Sequence, residues 1–238
     1  MRNLILTGGI RHDFADNTRA VIALLAEAGI ESEATEDIDA GIASLSEEHY
    51  DLVTVMALRW RMEGDPKYAP YRAAWAYHMP EPSRQGLQRH VAHGGGLLGL
   101  HTACLCFDDW DDWREVLGGR WTWGQSFHPP RGPITVSPLR QARTHPLTRG
   151  LPEFQLEDEV FSALSLARDV TPLLNARATN ADVSGQPVLW ARQEGDARIV
   201  YDALGHDRES LENAVHRRIL QRSALWAGKA SDDTVTGF

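Results

Sequence analysis

Apolar positions along the first hundred residues switch between two periods. Residues 3–7 form a short apolar run closed by Gly8 and Gly9, the punctuation of a strand entering a loop. Val21, Leu24, Leu25 and Ala28 then recur at helical spacing, which predicts a helix over 18–27, capped by Asn17 and stopped by Gly29. Residues 31–35 read as a second strand and 39–45 as a short helix. Residues 51–58, DLVTVMAL, are apolar and β-branched enough for a central strand. A helix over 83–92 leads to a strand over 96–100, an apex at His101 and a helix from Thr102. After Gly118 and Gly119 the pattern turns strand-rich, with runs at 133–136, 159–164, 171–174, 187–192 and 198–201. A closing helix over 209–227 carries Leu211, Val215, Ile219 and Leu225 on one face.

Alternating strand and helix units followed by a strand-rich half predict a three-layer α/β fold with a mostly parallel central sheet. One domain is expected over 1–228, with a polar, frayed tail over 229–238. Ligands of such folds bind outside the carboxyl ends of the strands. That rule gathers the loops after Thr7, Leu58, Leu100 and Leu204 at one rim. The segment 59–82, rich in Trp, Tyr, Arg and Pro, reads as a long loop over one end of the sheet.

Composition narrows the partners. The net charge of −9 and the lack of a basic stripe argue against nucleic acid. No apolar run approaches the roughly 18 residues that span a bilayer, and the N-terminus reads as a core strand, not a signal peptide. Cys104 and Cys106 are one residue apart, a poor spacing for a disulfide or a zinc site, so a reducing cytoplasm is expected. A small-molecule partner fits this balance, with homo-oligomerisation left open.

The ten histidines sort by position. His12, His101 and His206 each follow closely on the carboxyl end of a predicted strand, as a composite site requires. The bland alternative is that each caps a helix or satisfies a buried group. His49, His90, His93 and His216 are expected on solvated surface. His145 is expected to be structural, His78 is undecided, and His128 either joins the site or packs. Glu159 and Asp158 should point to opposite faces of a strand, one towards the site. Asp108, Asp109, Asp111 and Asp112 read as a solvated helix start. Trp60, Trp121 and Trp123 could stack on sugar faces or belong to the core.

The apex at His101 has the form of a nucleophile elbow without a nucleophile. A helix N-terminus beyond it would lower the imidazole pKa and keep it neutral, fit for proton transfer or metal ligation. Gly94, Gly95 and Gly96 precede the strand, whereas a phosphate loop follows one.

Five segments in order resemble the ThuA-like (trehalose utilisation) family: GGGLLGLHTA, HPLTRGLP, EDEV, PVLWARQEG and RIVYDALGH, followed by WAG. The resemblance runs from Leu4 to about Gly228. It implies a flavodoxin-like, class I glutamine amidotransferase-like fold with His101 in the place of the amidotransferase cysteine, and hence no glutaminase chemistry. It also implies carbohydrate catabolism, on a disaccharide or a 3-keto-glycoside. The matching site positions are His12, His101, Glu159 and His206, with Phe161 departing from the Tyr common there.

Three functions follow. The first is an enzyme using His101, Glu159, His206 and His12 for acid–base isomerisation or elimination, with His128, Trp60 and Trp123 contacting the sugar. The second is a hydrolase whose divalent metal is held by the same four residues. The third is a non-catalytic sugar-binding or structural protein that keeps an amidotransferase-like shell.

Overall fold

The computed structural model describes residues 1–238, apart from the side chain of Ser184. Its framework is a nine-stranded sheet. β1 (Arg2–Gly8), β2 (Glu31–Thr35), β3 (Leu52–Ala57) and β4 (Gly96–Leu100) are joined by α1 (Phe14–Ala26), α2 (Ile38–Ser44), a one-turn α3 (Arg72–Trp75) and α4 (Glu81–Ala92). Next come α5 (Trp113–Leu117), a two-residue β5 (Gly119–Arg120), β6 (Gly132–Pro138), β7 (Phe154–Asp158) and a two-residue β8 (Ser165–Leu166). β9 (Thr171–Ala178), β10 (Val183–Glu194), β11 (Ala197–Asp202), α6 (Arg208–Glu212), α7 (Ala214–Ala227) and α8 (Asp232–Thr236) complete the chain.

The strand order is β2-β1-β3-β4-β11-β10-β9-β6-β7. From β2 to β11 every pairing is parallel, and beyond β11 every pairing is antiparallel. The parallel block has the flavodoxin-like order, whose rim lies at the strand carboxyl ends. β3 and β4 are buried throughout, as expected of strands covered on both faces. α1 packs with α7 and α2 with α4, forming the two outer layers. No helix is long and apolar enough to cross a membrane.

Several local expectations change, each for a physical reason. Asp13, not Asn17, caps α1, because its carboxylate accepts from the Asp16 amide at 2.9 Å. Asn17 lies buried in the first turn and donates to the His206 carbonyl at 3.1 Å. The helix expected from Thr102 is only a 3₁₀ turn over His101–Leu105. There the Thr102 hydroxyl donates to the Ala57 carbonyl at 2.7 Å and ties the turn to β3. The strand expected over 159–164 ends earlier: pairing with β6 stops at Asp158, opposite Gly132.

The closing helix breaks at Asn213, whose side chain caps α7. The tail is docked: Val235 is fully buried, and Arg222 donates to the Thr236 and Phe238 carbonyls. Asp108 and Asp109, expected in solvent, are largely covered and pair with Arg61 and Arg84.

Candidate active site

Three strand ends deliver the predicted histidines to one point. His12 follows β1, His101 follows β4 and His206 follows β11, while Glu159 lies one residue beyond β7. One ligand-type atom from each of the four lies within 4.8 Å of the others. His12 Nε2 is 3.1 Å from His101 Nε2. Glu159 Oε2 is 3.6 Å from His101 Nε2 and 3.5 Å from His206 Nδ1. His128 joins from the opposite side, with Nδ1 3.3 Å from Glu159 Oε1.

His101 has φ +45°, in the left-handed region that costs a non-glycine residue energy. The elbow is therefore real, although no helix follows it. Its Nδ1 lies 2.7 Å from the Ala203 carbonyl and its ring stacks on Phe161, with centroids 4.7 Å apart. A carbonyl only accepts, so Nδ1 carries the proton and Nε2 is a lone pair. His12 repeats this with Nδ1 3.4 Å from the Ile10 carbonyl. With both rings in this tautomer, two lone pairs face each other at 3.1 Å, an arrangement that a cation between them would complete. His206 Nδ1 is buried and has no hydrogen-bond partner.

Burial, not a helix end, keeps two of these rings neutral. It lowers His101 to about 4, against the pull of Glu159. Burial and the neighbouring His101 and His206 lower His12 to about 3. His206 is raised, chiefly by the Glu159 carboxylate 3.5 Å from its Nδ1. Burial would raise Glu159, but His206, His101 and His128 overcome it and hold the carboxyl at about 2.

The four groups fit a divalent transition metal. Ligands at metal–nitrogen distances near 2.0–2.1 Å lie roughly 3.4 Å apart around a tetrahedron, close to the 3.1, 3.5 and 3.6 Å of three of the pairs. Three imidazole nitrogens and one carboxylate, all with ligand-type atoms within 4.8 Å of one another, form a donor set suited to such a cation.

Behind these residues is a polar network that sequence reasoning missed. Asp158, Asp202, Ser210 and His216 are all fully buried. Asp158 accepts from the Ser210 hydroxyl and from the Gly205 amide at 2.8 Å. Asp202 accepts from the Leu204 amide at 3.0 Å. His216, expected on the surface, has Nε2 3.2 Å from Asp202 Oδ2 and Nδ1 2.8 Å from the Ser210 carbonyl. Both ring nitrogens face acceptors, so the ring is an imidazolium. Asp158 adjoins Glu159 and Gly205 adjoins His206, so the network fixes the two backbones that present those side chains. Gly205 has φ +102°, which suits glycine alone.

The other predicted residues separate. His90 is also mostly buried, bonded to the Gly96 carbonyl at 2.9 Å, whereas His49 and His93 are exposed as expected. His145 packs on Trp226 and His78 stays exposed beside Asp109. Trp60 is 2% exposed and cannot offer a face to a ligand; it lies under Trp123, which is 41% exposed. Cys104 and Cys106 are free and buried.

A flavodoxin-like parallel block with a histidine–carboxylate centre at its rim defines the structural class. The chain belongs to the ThuA family, described as trehalose utilisation, which matches residues 2–227. No curated protein matches it in sequence. Among solved structures it is similar to a protein from Parabacteroides merdae ATCC 43184 described as thua-like, with TM-score 0.75 and 19% identity over 96% of this chain and 90% of that one. A thua-like protein from Bacteroides uniformis ATCC 8492 aligns with TM-score 0.68 and 17% identity, covering 96% and 91%. A β-galactosidase from Rahnella sp. R3 aligns with TM-score 0.52 and 16% identity, covering 95% of this chain and 30% of that one. At these identities the likeness concerns the fold.

Proposed function

We propose that the protein is an enzyme of carbohydrate catabolism acting on a keto-sugar or its glycoside at a centre of His12, His101, His206 and Glu159 that holds a divalent metal. The observation that carries this is the convergence of His12 Nε2 and His101 Nε2, 3.1 Å apart, with the Glu159 carboxylate and the buried His206 Nδ1. The family description supports the substrate class. The two free buried cysteines support a cytoplasmic location.

When bound, the cation supplies Lewis acidity that polarises a substrate oxygen. The remaining chemistry falls to the chain. A proton on the carbon beside a ketone is acidic, and its removal needs a base. His128 has Nδ1 2.9 Å from the Pro129 carbonyl, so in the neutral ring Nε2 is the free lone pair, and the side chain is 39% exposed. It is the base available to a bound sugar, while the four ligands are engaged. Returning the proton to the neighbouring carbon gives isomerisation; expelling a glycosidic oxygen from the same enediolate gives elimination.

Metal analysis of the purified full chain, paired with turnover of 3-keto-sugars followed by product NMR, tests the reading. Stoichiometric metal is expected, with turnover lost on chelation and in Glu159→Gln. Turnover that survives with no metal bound would leave plain acid–base catalysis and remove the metal.

A further inference from the structure

Among the described residues, Trp123 and Phe127 are the large hydrophobic side chains left exposed, at 41% and 52%. Both lie in the stretch between β5 and β6 that carries His128. The same chain buries Trp60, Trp113 and Trp190 almost completely, so exposure here is not a general failure to pack. Exposed apolar groups concentrated at the mouth of a site mark a binding surface.

Trp123 is held in place. Its ring stacks on Trp60 at 5.7 Å and 19°, and Tyr68 and Trp121 meet it near edge-on. One face is therefore supported and the ring remains open to solvent. Trp121 contacts both Phe161 and His128, and Phe161 stacks on His101. The aromatic series thus runs without a break from the site centre to Trp123. Beside its outer end is a cleft of about 90 Å³ bordered by Trp121, Trp123, Asp108 and Arg120. The Trp121 indole nitrogen is buried and has no hydrogen-bond partner.

A flat apolar ring next to a carboxylate, a guanidinium and a spare N–H donor matches a pyranose: C–H groups on its faces, hydroxyls around its edge. We propose that Trp123, backed by Trp60, binds a second sugar ring of the substrate, while the ring that reacts occupies the histidine–glutamate centre. This rests on the carbohydrate reading above and deepens it: Trp123 selects for the ring beyond the one that reacts.

Calorimetric titration of the full chain with trehalose and with glucose tests this, using Trp123→Ala and Trp123→Phe. Trp123 is exposed, so both variants should melt like the parent chain. Trp123→Ala should weaken trehalose binding about tenfold and leave glucose unchanged, and Trp123→Phe, which keeps a flat ring, should recover most of the loss. Trehalose affinity unchanged in Trp123→Ala would overturn the second-ring site and leave the proposed function standing. Failure of the parent chain to bind either sugar or the 3-keto form of trehalose would overturn the carbohydrate reading together with the subsite.

Discussion

His101 and His216 have nearly the same neighbours, yet one is neutral and the other positively charged. Each places Nδ1 against a backbone carbonyl, at 2.7 and 2.8 Å. Each places Nε2 near a carboxylate, at 3.6 and 3.2 Å. Yet His101 is lowered to about 4, whereas burial fails to neutralise His216 and its pKa is raised by Asp202. The difference is what else shares the carboxylate. Glu159 serves His101, His206 and His128, and His12 crowds His101 from the other side. Asp202 pairs with the single ring of His216, and Asp158 adds to the pull on it. A shared carboxylate leaves lone pairs for a guest; a private one makes an ion pair that closes the core.

The largest expected effect separates the two rings by stability. His216→Leu strands Asp202 without its cation and should cost about 3–5 kcal/mol in urea denaturation. His101→Asn should stay within about 1 kcal/mol of the parent, because Asn tolerates the left-handed backbone there, while metal uptake is lost. Equal losses from the two substitutions would collapse the distinction between guest site and structural pair.

The next effect joins the clusters. Ser210→Ala removes one donor to Asp158 and loosens the backbone on which Glu159 and His206 sit. Cobalt or zinc affinity should fall about 10- to 100-fold with the fold intact, the usual scale for groups that orient metal ligands. An unchanged metal affinity would confine the buried network to folding.

The smallest effect is in the pH dependence. His12 and His101 stay neutral in the folded chain down to about 3 and 4, but take up protons near pH 6.5 when unfolded. Below pH 6.5 the unfolded chain binds more protons, so stability falls with pH. Each histidine contributes up to about 1.4 kcal/mol per pH unit. His216, being raised, acts oppositely: its contribution is complete below 6.5 and disappears as pH rises through its folded value. Between pH 6 and 5, His101→Asn should flatten the measured slope by about one proton. A slope identical to the parent's would mean that His101 is not held neutral.

The cluster of His12, His101, His206 and Glu159 was legible because strand ends are legible. His12, His101 and His206 each follow a short apolar run, and a parallel sheet collects such ends at one rim. Glu159 was found for an imperfect reason, since it lies past its strand and not within it. His216 was not legible at all. Its neighbours Arg217 and Arg218 look like surface, and Asp202 lies fourteen residues away on another element. The two tryptophans show the same limit, since nothing local tells Trp60 from Trp123.

From sequence alone, periodicity and glycine punctuation determined the alternating elements, the open rim and which side chains arrive there. Those signals are local, carried by residues a few positions apart. The tertiary structure decided which histidines are neutral, which is charged and which tryptophan is exposed. Protonation and burial depend on groups brought together from distant segments, and no local pattern encodes that sum.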